Sequence, residues 1–371
     1  MSIMNTVRNP LNGIFELTAR CNLRCKMCMI RMDDNVRSKE RSTKEWVDMA
    51  RQVKDAGTLS LLLTGGEPLF RSDFADIYTE IASMGFYLTV YTNATLITEE
   101  IHKLFQKYPP HNIGVTVYGA SNEIYELVTG SGDAYDRMLV GMEKLKKLPS
   151  RLSIRTTIIK DNLKDLDRIM AWARSFGPNV DFNVSRIVNM PVRGGAASVK
   201  ECRLSPEENV EMLKKIYAKS FIEPLIAFFK EHPDKNFEKN IENILSGRKE
   251  EEKKVSTNKP TLYGCNAGID SYTITLDGKL IGCQMLNDCC TYPFDDGFQS
   301  AWEQFPKMVR LLPAPEECKG CSTPCSSCYA TRQSETGSMD GWPEYICKEA
   351  KLKEKMEMDL VEMLYASLSE S

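Results

Sequence analysis

Histidine is scarce in this chain: only His102, His111 and His232 occur among 371 residues. So few imidazoles leave little room for mixed Cys/His zinc sites. Long apolar runs are missing too. None approaches the roughly 20 residues needed to cross a bilayer, and the first residues lack the basic-then-apolar pattern of a secretory signal. A membrane protein is therefore not expected, and a cytoplasmic location is. Excess charge of either sign is absent as well, with 48 Lys and Arg against 51 Asp and Glu and a pI near 5.9. That balance provides no electrostatic footprint for nucleic acid. Cysteine breaks the pattern of scarcity, with 13 residues. In a chain without a secretory signal, so many thiols argue for metal or redox ligation rather than disulfides. The length exceeds what one core usually serves, so a large and a small domain are expected.

Three of the cysteines, Cys21, Cys25 and Cys28, stand at CxxxCxxC spacing just after the apolar stretch 13–18. Three thiolates on one short loop can hold three corners of a cubane iron–sulfur cluster and leave the fourth iron open to a substrate or cofactor. Taken alone, the spacing also fits a partial zinc site. Two further motifs follow at strand ends. Leu61-Leu62-Leu63-Thr64 runs into Gly65-Gly66-Glu67-Pro68, where glycines permit close backbone approach and proline fixes the turn. Tyr87 to Tyr91 runs into Thr92-Asn93-Ala94.

Together these motifs resemble the radical SAM superfamily. The resemblance implies that Cys21, Cys25 and Cys28 hold a [4Fe–4S] cluster whose open iron chelates S-adenosylmethionine (SAM). It also implies that the segment Gly65, Gly66, Glu67 and Pro68 receives the methionine amino group. Asn93 corresponds to the usual Thr-Asn-Gly strand end, with Ala94 in the glycine position. Thr116 aligns with the serine of a Ser-x-Asp-Gly segment, with Tyr118 where aspartate is usual. Thr129 stands where many relatives have an arginine that meets the methionine carboxylate, so Arg155 or Arg186 is expected to supply that cation. The alternative for both arginines is an ion pair across the barrel mouth.

Alternating apolar and amphipathic segments predict strands at Ile14 to Thr18, Ser60 to Thr64, Tyr87 to Tyr91, Ile113 to Val117, Leu152 to Ile158 and Val180 to Ser185, with helices between them. Ser42-Thr43-Lys44-Glu45 reads as a capping box opening the first helix. Ser205-Pro206-Glu207-Glu208 is another helix start. Six β/α alternations predict a parallel α/β sheet, which the resemblance sharpens to a partial (β/α)6 TIM-like barrel with chemistry at the carboxyl strand ends. The expected division is an N-terminal extension at 1–12, the barrel at 13–200, a helical linker at 201–260, a cysteine-rich domain at 261–348 and a C-terminal helix at 349–371. The charge run 248–254 reads as a solvated segment.

That cysteine-rich region contains Cys265, Gly278, Cys283, the knot Cys318-x2-Cys321-x3-Cys325-x2-Cys328, and Cys347. It resembles the SPASM extension of radical SAM enzymes, although the knot is tighter than usual. A zinc ribbon is the alternative for the knot. The resemblance implies one auxiliary [4Fe–4S] cluster on Cys318, Cys321, Cys325 and Cys347, and a second on Cys265, Cys283 and Cys328, making three clusters per chain. For the second cluster, either Cys289 or Cys290 supplies a fourth ligand or an iron stays open.

The implied activity is reductive cleavage of SAM to a 5′-deoxyadenosyl radical that takes a hydrogen atom from a substrate. Iron–sulfur potentials reaching roughly −700 mV make such an electron available. The expected substrate is a ribosomally made peptide undergoing crosslinking or another modification. Epimerisation or dehydrogenation of a small molecule or peptide residue is the enzymatic alternative, with Cys202, Cys289 and Cys290 as candidate hydrogen donors. In sulfatase-maturing relatives an aspartate follows the cysteine that matches Cys283, whereas Gln284 stands here. A zinc-stabilised structural protein is the non-enzymatic alternative. An expected partner is a reductant such as flavodoxin or ferredoxin, and, because only about 20 residues precede Cys21, a peptide substrate is expected to be recognised by the barrel itself or by a separate peptide-recognition protein.

Overall fold

The computed structural model describes residues 7–30, 40–177, 180–185, 188–191, 199–232, 262–325 and 327–369. Six strands alternate with helices: β1 (Asn12–Glu16), β2 (Ser60–Thr64), β3 (Tyr87–Thr92), β4 (Asn112–Val117), β5 (Arg151–Thr157) and β6 (Asp181–Ser185). Between them run α1 (Thr43–Asp55), α2 (Phe74–Ala82), α3 (Glu99–Lys107), α4 (Asn122–Thr129), α5 (Ala134–Leu145) and α6 (Leu166–Arg174), the last of these preceding β6. Neighbouring strands are parallel and lie in sequence order, as successive β/α units require. This is the α/β architecture of a partial (β/α)6 barrel.

Register explains the core. Phe15 pairs with Leu63, Leu63 with Val90, and Val90 with Ile113, and all four are fully buried. Helices cover them because parallel strands have no face to leave in water. α1 carries Trp46 inward, 5.1 Å from the Phe15 ring, and begins at the predicted capping box: Ser42 and Glu45 satisfy each other's backbone amides. The first strand differs from expectation at both ends. It starts at Asn12 and leaves the ladder after Glu16, so Leu17 and Thr18 already belong to the loop that leads to the cysteines.

Three strands extend the sheet beyond β1. β7 (Ser271–Ile274) pairs parallel with β1, and β8 (Leu280–Ile281) and β9 (Cys290–Thr291) follow antiparallel. An unpaired β1 edge would expose a row of backbone donors and acceptors, and β7 covers it. Contacts accordingly group Met1–Leu204 with Thr261–Cys318 and Cys328–Trp342 in one compact unit. The second unit comprises Ser205–Pro260, Lys319–Ser327 and Pro343–Ser371. In it the helix Pro206–Tyr217, opened by the Ser205/Glu208 capping box, meets the helix Glu344–Ser369 through Val210, Leu213, Met356 and Leu360. The run 248–254 lies outside the described residues.

One tight contact in the first unit carries a prediction. Ala94 has φ +59°, the left-handed region, which costs a residue with a side chain roughly 1–2 kcal/mol. Glycine would adopt this conformation without that cost. α5 holds that turn from behind, and a Cβ on Gly141 would lie 2.0 Å from the Ala94 carbonyl oxygen. Gly to Ala inside a helix ordinarily stabilises, yet Gly141→Ala is expected to destabilise by about 1–3 kcal/mol through overpacking. A lower urea midpoint in the variant checks this.

Candidate functional site

The carboxyl ends of β1 to β4 bring the cysteine loop, Gly65 to Glu67, Asn93 and Thr116 to one cavity. After β1 the chain is pinned by Arg71, whose side chain is 3 % exposed; its guanidinium donates to the Leu17 carbonyl at 2.7 Å and the Arg41 carbonyl at 3.0 Å and forms two bonds to Asp73. Thr18 and Glu40 share a short hydrogen bond, and Glu40 also pairs with Arg20 at 2.8 Å. The cysteine loop then rests on the end of α4: Arg24 N–H donates to the Thr129 carbonyl at 2.8 Å and Lys26 N–H to the Val128 carbonyl at 3.0 Å. Thr129 itself is buried and bonds back to Tyr125. That segment braces the loop.

The glycines of the second motif have a role that periodicity does not reveal. A Cβ on Gly65 would lie 2.5 Å from the Thr18 carbonyl, and one on Gly66 would lie 2.4 Å from the Arg20 carbonyl. The two loops touch backbone to backbone. Gly66 N–H donates to Thr18 O at 2.8 Å and Glu67 N–H to Arg20 O at 2.9 Å. The glycines therefore serve the approach to the cysteine loop as well as any approach to a ligand.

Glu67 is a brace in this structure. Fully buried, it accepts hydrogen bonds from Leu69 N–H and Thr92 Oγ1 on one oxygen and from Asn93 N–H at 2.7 Å on the other. Burial pushes its carboxyl up to about 7, against the pull of those donors. The sign follows directly: stability associated with the neutral buried carboxyl is complete below about 4.5 and is lost as pH rises through about 7. The stability of the wild-type apoprotein relative to Glu67→Gln is therefore expected to decline over that interval. Urea titrations of both proteins across it provide the check.

Asn93 ties the third motif to the cysteine loop. Its amide nitrogen donates to Asn22 at 2.9 Å and lies 4.0 Å from the Cys21 sulfur, while its oxygen accepts from Thr95. Beyond β4, Tyr118 and Cys25 pack against the same apolar cluster, and the tyrosine hydroxyl acts on the Cys25 sulfur. Its backbone is fixed by Asn162 and Tyr125, whose ring it meets edge-on at 5.7 Å. The unusual residue of the predicted Thr116-x-Tyr118 segment thus touches a candidate cluster ligand.

Cys21, Cys25 and Cys28 converge. Burial, Glu67 and the neighbouring Cys28 sulfur push the Cys21 thiol up to about 12; burial and the Cys28 and Cys21 sulfurs push Cys25 higher still. Thiolates crowded like this repel one another until a cationic centre takes their charge, and binding it releases their protons. Among the described residues no group of three or more His, Cys, Asp and Glu side chains closes on a single ion position. The donor set, three soft thiolates facing one cavity, fits an iron–sulfur cluster.

That cavity has a volume of about 1010 Å³ and is walled by the three cysteines, Gly65, Gly66, Glu67, Asn93 and Thr116. Other predicted residues lie elsewhere. Pro68 is buried at the start of a short 3₁₀ turn, and Arg155 stacks 4.3 Å over the Tyr91 ring without lining the cavity. Arg186 lies outside the described residues. Cys202 belongs to the apolar cluster behind the cysteine loop, together with Met27, Ile124 and Val128. Neither it nor Cys289 nor Cys290 lines the cavity. Sequence reasoning overlooked Arg20, Arg24, Glu16 and Asn189, all of which line it. Arg20 and Arg24 flank Cys21, and their nearness was the available signal. Gln284 also reaches this wall.

Parallel β/α units with a three-cysteine loop at their carboxyl edge define a cluster-bearing partial barrel, the class to which this fold and site belong. Residues 15–173 match the family model described as the radical SAM superfamily. That match supports SAM and a [4Fe–4S] cluster as cofactors. Among curated proteins, the AdoMet-dependent heme synthase of Methanosarcina barkeri is 28% identical over 338 residues, covering 87% of this chain and 92% of that protein. Among solved structures, Streptococcus suis SuiB bound to S-adenosylmethionine superposes with a TM-score of 0.67 at 16% identity, over 93% of this chain and 78% of that one. Native anSMEcpe with bound AdoMet superposes with a TM-score of 0.66 at 18% identity, over 96% and 100%. These two likenesses show the fold. Among the described residues no helix is long and apolar enough to cross a membrane.

Proposed function

We propose that this radical SAM enzyme modifies a ribosomally made peptide, with Cys21, Cys25 and Cys28 as ligands of the SAM-binding cluster. A cluster held by these three cysteines would supply, when bound, the strongly reducing electron needed for cleavage of SAM to methionine and a hydrogen-abstracting 5′-deoxyadenosyl radical. The residues of the chain provide position. Tyr118 orients Cys25, Asn93 sits against Cys21, and Glu67 locks the second and third motifs together behind the cavity. Thr116 and the backbone at Gly65 and Gly66 face the space where SAM binds, and Arg20 and Arg24 are the cavity cations suited to its carboxylate.

The observation that carries the reading is the convergence of three thiols on a cavity of about 1010 Å³, larger than SAM needs and so with room for a second molecule. Cys318, Cys321, Cys325 and Cys347 are assigned to one auxiliary cluster, and Cys265, Cys283 and Cys328 to another, by their resemblance to the SPASM pattern. A flavodoxin or ferredoxin would deliver the electron, and the barrel itself or a separate protein would recognise the peptide. Anaerobic reconstitution tests the enzyme reading: roughly twelve irons per chain and 5′-deoxyadenosine on reduction are expected, and a colourless zinc protein would refute it.

A second reading, oxidative modification of a small molecule, draws on one observation. The heme synthase relative aligns over nearly its whole length. Deuterium transfer separates the two readings. Label passing into 5′-deoxyadenosine from a deuterated peptide encoded beside this chain supports the first, and label passing only from a deuterated haem precursor supports the second.

A further inference from the structure

We propose that Arg155 recognises a carboxylate on the substrate and that the ring of Tyr91 is the seat that holds it for that purpose. The inference rests on the reading of this cavity as the place where SAM meets a second molecule, and it names a chemical group that the second molecule must carry.

Side chains two residues apart on a strand share a face. Arg155 pairs in register with Thr116 on β4 and stands two residues before Thr157 on β5. Both threonines line the cavity, and so does Tyr91. Arg155 therefore belongs to the same wall, with its guanidinium carbon 4.3 Å from the centre of the Tyr91 ring. Gly114, which pairs with Tyr91 in register, makes room for that ring: a Cβ there would lie 2.6 Å from two of the ring carbons. Glycine inside a strand weakens it and marks a close approach. Here the approach is that of the seat on which the arginine lies.

The seat satisfies only part of the arginine. Stacking uses the face of a guanidinium and leaves the N–H groups in its plane. The Arg155 Nε is buried without a hydrogen-bond partner, and among the described residues no hydrogen bond or ion pair engages its terminal nitrogens. Other arginines near the cavity are spent. Arg71 holds two carbonyls and Asp73, and Arg20 grips both oxygens of Glu40. Native folds pair nearly all their buried donors, so an arginine held by its face with open edges is arranged for a partner that arrives later. A carboxylate is that partner, because its two oxygens match two parallel N–H groups of the guanidinium edge. Beside Arg155 the wall offers the hydroxyls of Thr116, Thr157 and Ser185, which suit a singly charged acid better than a phosphate. The carboxylate of SAM has nearer candidates in Arg20 and Arg24, which flank Cys21 on the loop after β1, whereas β2, β3 and β4 separate that strand from Arg155.

The acid can sit on a peptide side chain or on a small molecule, and paired probes distinguish the two. The reconstituted full chain is titrated anaerobically with SAM, with the peptide encoded beside this chain and the same peptide carrying Asn and Gln for Asp and Glu, and with mesoporphyrin and its dimethyl ester. The wild type is expected to bind the acid form of one pair about tenfold or more tighter than its neutral form. A preference within the peptide pair identifies an acidic peptide residue, and one within the porphyrin pair identifies a small carboxylic acid. Arg155→Gln should erase the preference and Arg155→Lys should restore it in part, while SAM affinity and iron content stay at wild-type values. Gly114→Ala, which displaces the Tyr91 seat, should weaken the preference with Arg155 still present. The urea midpoint of the Arg155→Gln apoprotein should not fall, since the arginine has no protein partner to lose. No acid preference in the wild type, a preference that survives Arg155→Gln, or a loss of SAM affinity in that variant equal to its loss of probe affinity overturns the proposal. Failure of the wild type to take up iron or to bind SAM would instead overturn the underlying reading of the cavity.

Discussion

Cys25→Ala is expected to abolish 5′-deoxyadenosine formation while leaving the apoprotein folded. The two halves of this result come from different energies. Removing one half-buried sulfur costs on the order of 1 kcal/mol of packing, little beside the 5–15 kcal/mol of a typical domain. Losing one of three thiolates leaves two anchors for a cubane that already has an open corner, and the SAM-binding iron goes with it. The protein should therefore lose about four irons per chain and all SAM cleavage, with its circular dichroism and urea midpoint nearly unchanged. Tyr118→Phe, which removes only the hydroxyl that faces Cys25, separates ligation from tuning. That variant should retain its iron and show a lower cluster potential, measured by EPR-monitored redox titration.

Gly66→Ala should be the more damaging change to the fold. The added Cβ would lie 2.4 Å from the Arg20 carbonyl oxygen and 2.8 Å from its carbon. Both are backbone atoms, so no rotamer change relieves the clash. The loops must separate, and the hydrogen bonds from Gly66 to Thr18 and from Glu67 to Arg20 stretch or break. Overpacking of about 1–3 kcal/mol with loss of two bonds of about 1 kcal/mol each gives an expected destabilisation of about 3–5 kcal/mol. Displacing Arg20 also moves Cys21, so SAM affinity should fall along with the urea midpoint. Equilibrium unfolding and SAM titration of the reconstituted variant measure the two effects independently.

The strands were legible because each is a short apolar run that ends in a turn signal, and β2 matches its expected bounds at Ser60 and Thr64. Ser42 and Ser205 cap helices as predicted because capping is a local interaction. Contacts that depend on distant segments were not legible. No local pattern says that Arg71 holds the Leu17 carbonyl, or that Glu67 spends both oxygens on the neighbouring strand end. The carboxylate cation is an instructive case: alignment by strand position pointed to Arg155, and Tyr91 occupies that arginine by stacking. The arginines that do line the cavity, Arg20 and Arg24, flank Cys21. A motif scan passes over them because the loop is identified by its sulfurs alone.

The pairing of β7 with β1 also bears on how the molecule is made. Phe15 waits for Ile274, which leaves the ribosome about 260 residues later, and such distant partners are the slow contacts of folding. Until then the strand that leads into the iron loop is an open edge, prone to pair with whatever strand it meets. A nascent chain stalled before β7 carries every cysteine of the first motif and lacks the strand that protects it. Completion of the sheet therefore waits until Thr291 has been made, long after the first motif, and cluster loading is best timed after it.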